Sequence, residues 1–354
     1  MGLGGLAVIA AASMLCLSGC SNLGYYWQSA TGHLKIMGAA KPVEEWLGDS
    51  EAPERLKARL ALSQRIRQYA VRELKLPDNP SYHRYADLHR PAAVWNVVVA
   101  PPYSLTLKRW CFPVTGCVSY HGYFDEAQAR LDAEGFASQG FETSVYPVPA
   151  YSTLGWMNWA GGDPLLNTFI YYPEGELARL IFHELAHQVV YAKDDTTFNE
   201  SFATAVERLG GARWLATEAS PAAREEYAQY DGRRRQFRAL ALATRKRLEE
   251  IYATTDGAKR EELKQAALRE FRESYARLRA TWTGDPNRWR GYDRWVAQAN
   301  NASFGAQAAY DDLVPGFEAL FDREGRDWTR FYDAVRRLAA MPKDERHRLL
   351  KVPD

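Results

Sequence analysis

The chain has 354 residues, of which 46% are hydrophobic and 11 are tryptophan, and its formal net charge is +1 at pH 7. A charge this close to neutral gives no reason to expect nucleic acid or another strongly charged polymer as a partner. The length is compatible with two domains, but no linker rich in Pro, Gly or Ser and no internal repeat divides the sequence. We therefore expect one domain over 51–354.

The first residues have the features of a bacterial lipoprotein signal peptide, which we place at 1–19. The apolar run over 3–17 has the length of a signal-peptide core and is too short to cross a bilayer as a helix. It leads into Leu-Ser-Gly-Cys, the lipobox pattern, in which Cys20 is acylated and becomes the new N-terminus. Ser21 follows, in place of the aspartate that retains lipoproteins in the inner membrane of enterobacteria. We predict a lipid-anchored segment over 20–50, attached to the outer membrane and facing the periplasm. The alternative is an uncleaved apolar helix.

The next part of the chain predicts a mixture of helices and strands. An amphipathic helix is predicted over 51–75, because Leu56, Leu60, Ile66 and Tyr69 fall broadly on one side of it. Runs rich in β-branched and aromatic residues, and one further helical pattern, predict strands at 94–99, 105–110, 118–124 and 142–148 and a helix at 125–138. Together these elements form an α+β half.

Two cysteines within this half have the spacing of a small closed loop. Cys111 and Cys117 are separated by Phe-Pro-Val-Thr-Gly, which suits a hairpin. In an oxidising periplasm we expect them to form a disulfide. A zinc-binding pair is the alternative, but no second cysteine pair or His-rich tract accompanies it.

A His-Glu-x-x-His motif is formed by His183, Glu184 and His187. At i and i+4 the two imidazoles share one helix face, so both Nε2 atoms can bind one zinc ion at roughly 2.0–2.1 Å. Glu184 is rotated by about 100° and stands beside the ion, where a general base is needed. The flanking residues are apolar nearly all round, which predicts a buried helix. We therefore predict one catalytic zinc per chain. The alternative is a solvated helix with two surface histidines.

The third ligand determines the class of zinc site. Metzincins require Gly and His at the positions of Val190 and Lys193, so that class is excluded. Asp194 and Asp195 are conceivable ligands, but they are placed where a loop and a helix N-cap are expected. We predict Glu200 as the third ligand, because it opens the next helical pattern.

Glu200, Thr204 and Glu207 share one face of that second helix at i, i+4 and i+7. Glu207 is predicted to accept the second N–H of a ligand histidine and to fix its tautomer. The alternative for Glu207 is a surface salt bridge with Arg208 or Arg213.

Beyond Gly211 the pattern is almost wholly helical. Residues 222–281 predict a long, Arg-rich helical hairpin that turns near 254–257. A charged hairpin of this kind is usually a solvated face, and binding to a membrane surface or a partner is the alternative.

The segment 199–207, Asn-Glu-Ser-Phe-Ala-Thr-Ala-Val-Glu, is similar to the Asn-Glu-Gly-Phe-Ala-Thr-x-x-Glu helix of aminopeptidase N-type gluzincins. The lipobox cysteine, the segments 110–124 and 151–168, and the zinc helices resemble a bacterial family of envelope lipoproteins described as predicted aminopeptidases. The resemblance covers most of the mature chain. It departs at 157–162, which are inserted where that family continues directly to Asp-Pro, and the Gly-x-Met-Glu-Asn aminopeptidase signature is absent.

The resemblance implies a zincin-like catalytic core with a mixed sheet over 51–210 and a helical subdomain over 211–354. It also implies that a tyrosine donates to the oxyanion, for which Tyr310 is predicted over Tyr292 and Tyr191. For each of these tyrosines, packing in the core is the alternative.

As in other zincins, the peptide substrate is expected to lie along an edge strand. The candidate is the segment 165–171, where Asn167 and Thr168 are predicted to contact the substrate backbone.

The predicted activity is zinc-dependent hydrolysis of peptide bonds in the cell envelope, with Glu184 activating the water and protonating the leaving amine. The competing class is a non-catalytic lipoprotein that binds peptides or acts as a scaffold. Glu184 favours the enzyme, because a site that only binds metal does not need a carboxylate there. Three ligands also leave one position open, which disfavours a structural zinc.

Overall fold

A computed structural model describes residues 24–112, 116–150, 152–309 and 312–351. The predicted signal peptide, the predicted lipidation site at Cys20 and Tyr310 lie outside these ranges. Within them, no helix combines the length and the apolar character that a membrane crossing requires. The described chain is α+β, with small sheets in its first half and helices in its second.

The helices are α1 (24–39), α2 (Val43–Gly48), α3 (Glu54–Leu74), α4 (Glu126–Ala137), α5 (Glu174–Ala186), α6 (Thr196–Thr217), α7 (Pro221–Thr254), α8 (Gly257–Ala280), α9 (Arg290–Ala297), α10 (Asn301–Ala309), α11 (Val314–Arg323), α12 (Trp328–Ala339) and α13 (Lys343–Leu350). The strands are β1 (Lys41–Pro42), β2 (Arg84–Ala86), β3 (Val94–Ala100), β4 (Trp110–Phe112), β5 (Gly116–Val118), β6 (His121–Tyr123), β7 (Glu142–Val148) and β8 (Leu165–Leu166).

The strands form three small sheets. In the order β6-β3-β7 both pairings are antiparallel, whereas β8 runs parallel to β2 in the order β1-β2-β8, and β4 and β5 form a hairpin. Strand β3 is buried on both faces, since its side chains alternate between two layers. Val97 and Val99 pack with α4, and Val98 and Ala100 pack with Ala302 of α10.

The sequence located most of these elements. Helix α3 matches the prediction at 51–75, and the four apolar residues that supported it are buried. The strand predicted at 105–110 is wrong over 105–109. Leu105 instead packs against a helical cluster of the second half, and Leu107 packs against a cluster formed by β3 and Ala302 of α10. An alternating apolar pattern is compatible with a β-strand and also with an extended loop that packs against other elements. The pattern alone therefore did not distinguish the two structures. The strand predicted at 118–124 is interrupted and gives β5 and β6.

Helices α5 and α6 pack against each other within the largest core. Two glycines of α6 permit their close approach. A Cβ at Gly210 would lie 3.1 Å from Cδ2 of Phe182, and one at Gly211 would lie 2.7 Å from Cγ of Arg179. Carbon atoms normally stay about 3.5–4.0 Å apart. The glycine pair therefore sets how near the two motif-bearing helices can come.

The helical half divides between two cores. The hairpin α7–α8 was predicted correctly, and with α9 and α10 it encloses an aromatic cluster that includes Phe237, Phe271 and Phe304. Helices α11 to α13 instead return to the core that contains α5 and α6, where Phe317 contacts Phe198 of α6 at a ring-centroid distance of 5.1 Å. The last three helices thus stabilise the site region directly.

Candidate metal centre

Three side chains predicted as metal ligands converge. The Nε2 atoms of His183 and His187 are 3.2 Å apart, and Oε2 of Glu200 lies 3.4 Å from the first and 3.6 Å from the second. Two atoms bound to zinc at about 2.0–2.1 Å and at the tetrahedral angle are separated by about 3.3–3.4 Å. The triangle therefore fits a zinc ion. Among the described residues, this is the group of His, Cys, Asp and Glu side chains that meets the spacing of a metal site.

The loop between α5 and α6 is held so that Glu200 faces the histidines. Asn199 clamps it, because its Oδ1 accepts the N–H of Ala192 at 2.7 Å and its Nδ2 donates to the Ala192 carbonyl at 2.8 Å. Asp195 is the N-cap of α6 and accepts the N–H of Phe198. The buried side chains of Asn199 and Asp195 thus fix the first turn of α6 through hydrogen bonds to the backbone.

Asp194 and Asp195, the alternative ligands, are occupied elsewhere. The carboxylate of Asp194 accepts the N–H of Cys117 at 2.5 Å. That of Asp195 is fully buried and contacts the side chain of His347 on α13 at 2.8 Å. Neither belongs to the converging group.

Glu207 lies behind the triangle, in the position predicted for it. Its Oε2 is 3.1 Å from Nδ1 of His183, and its Oε1 accepts a hydrogen bond from Arg179. The salt bridges considered as alternatives, with Arg208 or Arg213, are not the contacts found among the described residues; Arg213 pairs with Glu73 instead. Glu207 therefore links the ring of His183 to a buried guanidinium.

Arg179 was not identified from the sequence. It precedes His183 by four residues on α5, so both side chains share one face, and it is buried. Its guanidinium also donates to the hydroxyl of Tyr227 on α7 at 3.2 Å. An arginine at this spacing before the motif was the available signal. Arg179 thus connects the candidate metal centre to the long hairpin α7–α8.

The three glutamates of the site have different environments. Burial raises the pKa of Glu184, although the charges of His183 and His187 act against it. Burial also opposes ionisation of Glu200, but His187 and His183 lower its pKa far below the usual range. Burial opposes ionisation of Glu207 as well, but Arg179 and His183 together lower its pKa to about 2. Glu200 and Glu207 are thus held as anions, whereas Glu184 is the carboxylate most easily protonated.

A cavity of ≈ 450 Å³ adjoins the triangle. His183 and Glu184 line it on α5, and the segment 148–150 at the end of β7 lines it as well. The hairpin helix α7 contributes Phe237, and α9 contributes Tyr292. Glu184 therefore faces a space large enough for part of a peptide.

The remaining predicted residues have the following places. Asn167 donates to the Arg90 carbonyl at 3.1 Å, and Thr168 donates to the Pro149 carbonyl at 2.5 Å; their contact with substrate stays a prediction. Tyr292 lines the cavity. Burial and, to a smaller extent, the charge of Glu200 raise the pKa of Tyr191 to about 12.

Cys111 and Cys117 are joined in a disulfide across the β4–β5 hairpin. The hairpin contacts the loop between the two motif helices, because the N–H of Cys117 donates to Asp194. The disulfide thus supports the loop that leads into α6.

A family model described as "Putative aminopeptidase" matches residues 24–350. The chain belongs to this family. Comparisons with curated proteins and with solved structures give no match. Membership in the family supports hydrolysis of peptide bonds as the chemistry of the cavity.

Proposed function

We propose that the protein is a zinc-dependent peptidase of gluzincin type, with His183, His187 and Glu200 as the metal ligands. The observation that carries the proposal is the triangle of ligand atoms, whose sides of 3.2, 3.4 and 3.6 Å fit a tetrahedral ion. The donor set of two imidazoles and one carboxylate leaves a coordination position for substrate or water, as catalytic zinc sites do.

Bound zinc supplies Lewis acidity at this position. The side chains of the chain itself perform the proton transfers. Glu184 lines the cavity beside His183 and is the acidic group of the site whose pKa burial raises. It takes a proton from the attacking water and delivers that proton to the leaving amine. Glu207 holds His183 through Nδ1, which keeps Nε2 available for the metal.

The proposal extends to the cell envelope. The family description supports an aminopeptidase, and the lipobox at Cys20 supports a lipid anchor in the outer membrane. The substrate is then a peptide in the periplasm. Comparison of free-amine and N-blocked peptides distinguishes an aminopeptidase from an endopeptidase.

The test begins with metal content. Protein purified without chelators should carry about one zinc per chain, and His183→Ala and His187→Ala should remove it. Glu184→Gln should retain zinc but reduce turnover by several orders of magnitude. Absence of a stoichiometric divalent metal from the wild type contradicts the proposal. Retained zinc without turnover on any peptide favours the non-catalytic alternative.

A further inference from the structure

A second cavity, of ≈ 610 Å³, opens at the N-terminal ends of α5 and α7. Tyr172 lines both this cavity and the one beside the candidate metal centre. The two spaces therefore adjoin at one side chain. Nothing in the catalytic chemistry described above uses the second space.

The lining of the second cavity is basic and aromatic. It contains three arginines and two glutamates, a net charge of +1, together with three tyrosines, as follows: Arg55, Arg59, Arg288, Glu174, Glu226, Tyr171, Tyr172 and Tyr230.

The arginines differ in their partners. Arg288 pairs with Glu226 at 3.0 Å. Arg59 is engaged by backbone oxygens, and its Nε donates to the carbonyl of Ile170 at 2.8 Å. Arg55 lies over the ring of Tyr171 at 4.7 Å and forms no ion pair with any residue in the described ranges. A stacked guanidinium keeps its planar set of N–H donors available, which suits a carboxylate.

The length of α5 gives the distance between the second cavity and the candidate metal centre. The helix runs from Glu174, at the second cavity, to the region of His183, nine residues later. At 1.5 Å per residue this is about 13–14 Å. An extended peptide at about 3.3 Å per residue covers the same distance with four residues. A peptide with its scissile bond at the metal centre thus reaches the second cavity with its fourth or fifth residue.

We propose that the second cavity is a substrate subsite for a carboxylate about four residues from the scissile bond. The carboxylate belongs to the C-terminus of a short peptide or to an acidic side chain in a longer one. The inference rests on the proposed peptidase function and adds a substrate class to it: short or acidic peptides are preferred over neutral, amidated ones.

The experiment uses matched pentapeptides with a free amine. The two peptides of the first pair differ only at the C-terminus, which is a carboxylate in one and an amide in the other. A second pair consists of amides with Glu or Gln as the fifth residue. In the wild type, each carboxylate should lower KM by about fivefold to tenfold with little change in kcat, because the cavity is solvent-exposed and its ion pairs are partly screened. The preference should decrease at 0.5 M salt, where the screening length is about 4 Å. The first pair reports on the C-terminal source and the second on the side-chain source.

The double variant Arg55→Gln/Arg288→Gln should abolish the preference and leave hydrolysis of the neutral amide unchanged. The control is Arg130→Gln/Arg336→Gln, which removes the same charge from two exposed arginines that pair with acids on their own helices and line neither cavity. It should keep the preference. Equal kcat/KM for acid and neutral peptides in the wild type overturns the subsite, as does a preference that survives in the double variant.

A binding assay separates this inference from the proposed function. Labelled pentapeptides are titrated with the Glu184→Gln protein and followed by fluorescence anisotropy, which needs no turnover. Binding that depends on the carboxylate and on Arg55 and Arg288 supports the subsite even when no peptide is cleaved. Cleavage of neutral peptides without any carboxylate preference leaves the peptidase intact and overturns the subsite. Binding to anionic phospholipid vesicles is measured for the same proteins. If the double variant loses only this binding and keeps its peptide preference, the subsite is overturned, because the cavity then binds a lipid headgroup.

Discussion

Replacement of Glu207 by glutamine tests the support of the metal centre without touching a ligand. The amide keeps the size of the side chain, but it removes the charge that faces Nδ1 of His183 at 3.1 Å and the guanidinium of Arg179. Loss of a carboxylate behind a ligand histidine lowers metal affinity by about 10–100-fold, or roughly 1.4–2.8 kcal/mol at 1.4 kcal/mol per tenfold change. We expect a zinc dissociation constant raised by this factor.

The same change affects the stability of the metal-free chain. The side chain of Arg179 is 8% exposed, and removal of one partner from a buried ion pair costs about 3–5 kcal/mol. Glu176 at 4.0 Å and the hydroxyl of Tyr227 at 3.2 Å remain near this guanidinium. We therefore expect a loss at or below the lower end of that range, about 2–3 kcal/mol.

A double-mutant cycle separates the two effects. In an Arg179→Leu background no guanidinium is left unpaired, so Glu207→Gln should reduce the free energy of unfolding much less, while its effect on zinc affinity should persist through His183. Zinc affinity is measured by competition with a chromophoric chelator, and stability by urea unfolding of chelator-treated protein. An unchanged zinc affinity in the Glu207→Gln protein would refute the argument that Glu207 orients His183.

Three further predictions concern the frame of the site. Burial opposes ionisation of Asp195, but its contacts with His347, with Lys343 and with the N–H of Phe198 together lower its pKa. Its contribution to stability should therefore be complete above about pH 5 and be lost as the pH falls through the lowered value. Asp195→Asn should flatten this part of the curve of unfolding free energy against pH. Gly211→Ala places a Cβ 2.7 Å from Cγ of Arg179, so it should destabilise the fold by about 1–3 kcal/mol and weaken zinc binding, measured by urea unfolding and chelator competition. Replacement of Cys111 and Cys117 by serine opens a loop with a sequence separation of 6 and should reduce stability by about 2 kcal/mol in the oxidised protein, whereas reduction of the double variant should have no further effect.

The sequence predicted what local spacing determines. The i, i+4 histidines and the shared face of Glu200 and Glu207 follow from helical periodicity alone, and the structure brings these side chains together. Contacts between distant segments had no such signal. The residue His347, which contacts Asp195 from α13, is 152 positions away from it in sequence. The second cavity likewise joins α3 to the start of α7, so its residues become neighbours only when the helices pack.

The roles of the three glutamates follow from their neighbours rather than from their residue type. Glu200 has two imidazole nitrogens within 3.6 Å, and Glu207 has an imidazole and a guanidinium, so both pKa values are lowered and both side chains serve as fixed anions. Glu184 forms no ion pair or hydrogen bond with a residue in the described ranges, and burial raises its pKa. A group that exchanges a proton with substrate needs a pKa nearer to the working pH than an anionic ligand does. The divergence of these pKa values within one site therefore supports Glu184 as the base and Glu200 as the ligand, an assignment that the motif spacing suggested and that the charges around each carboxylate explain.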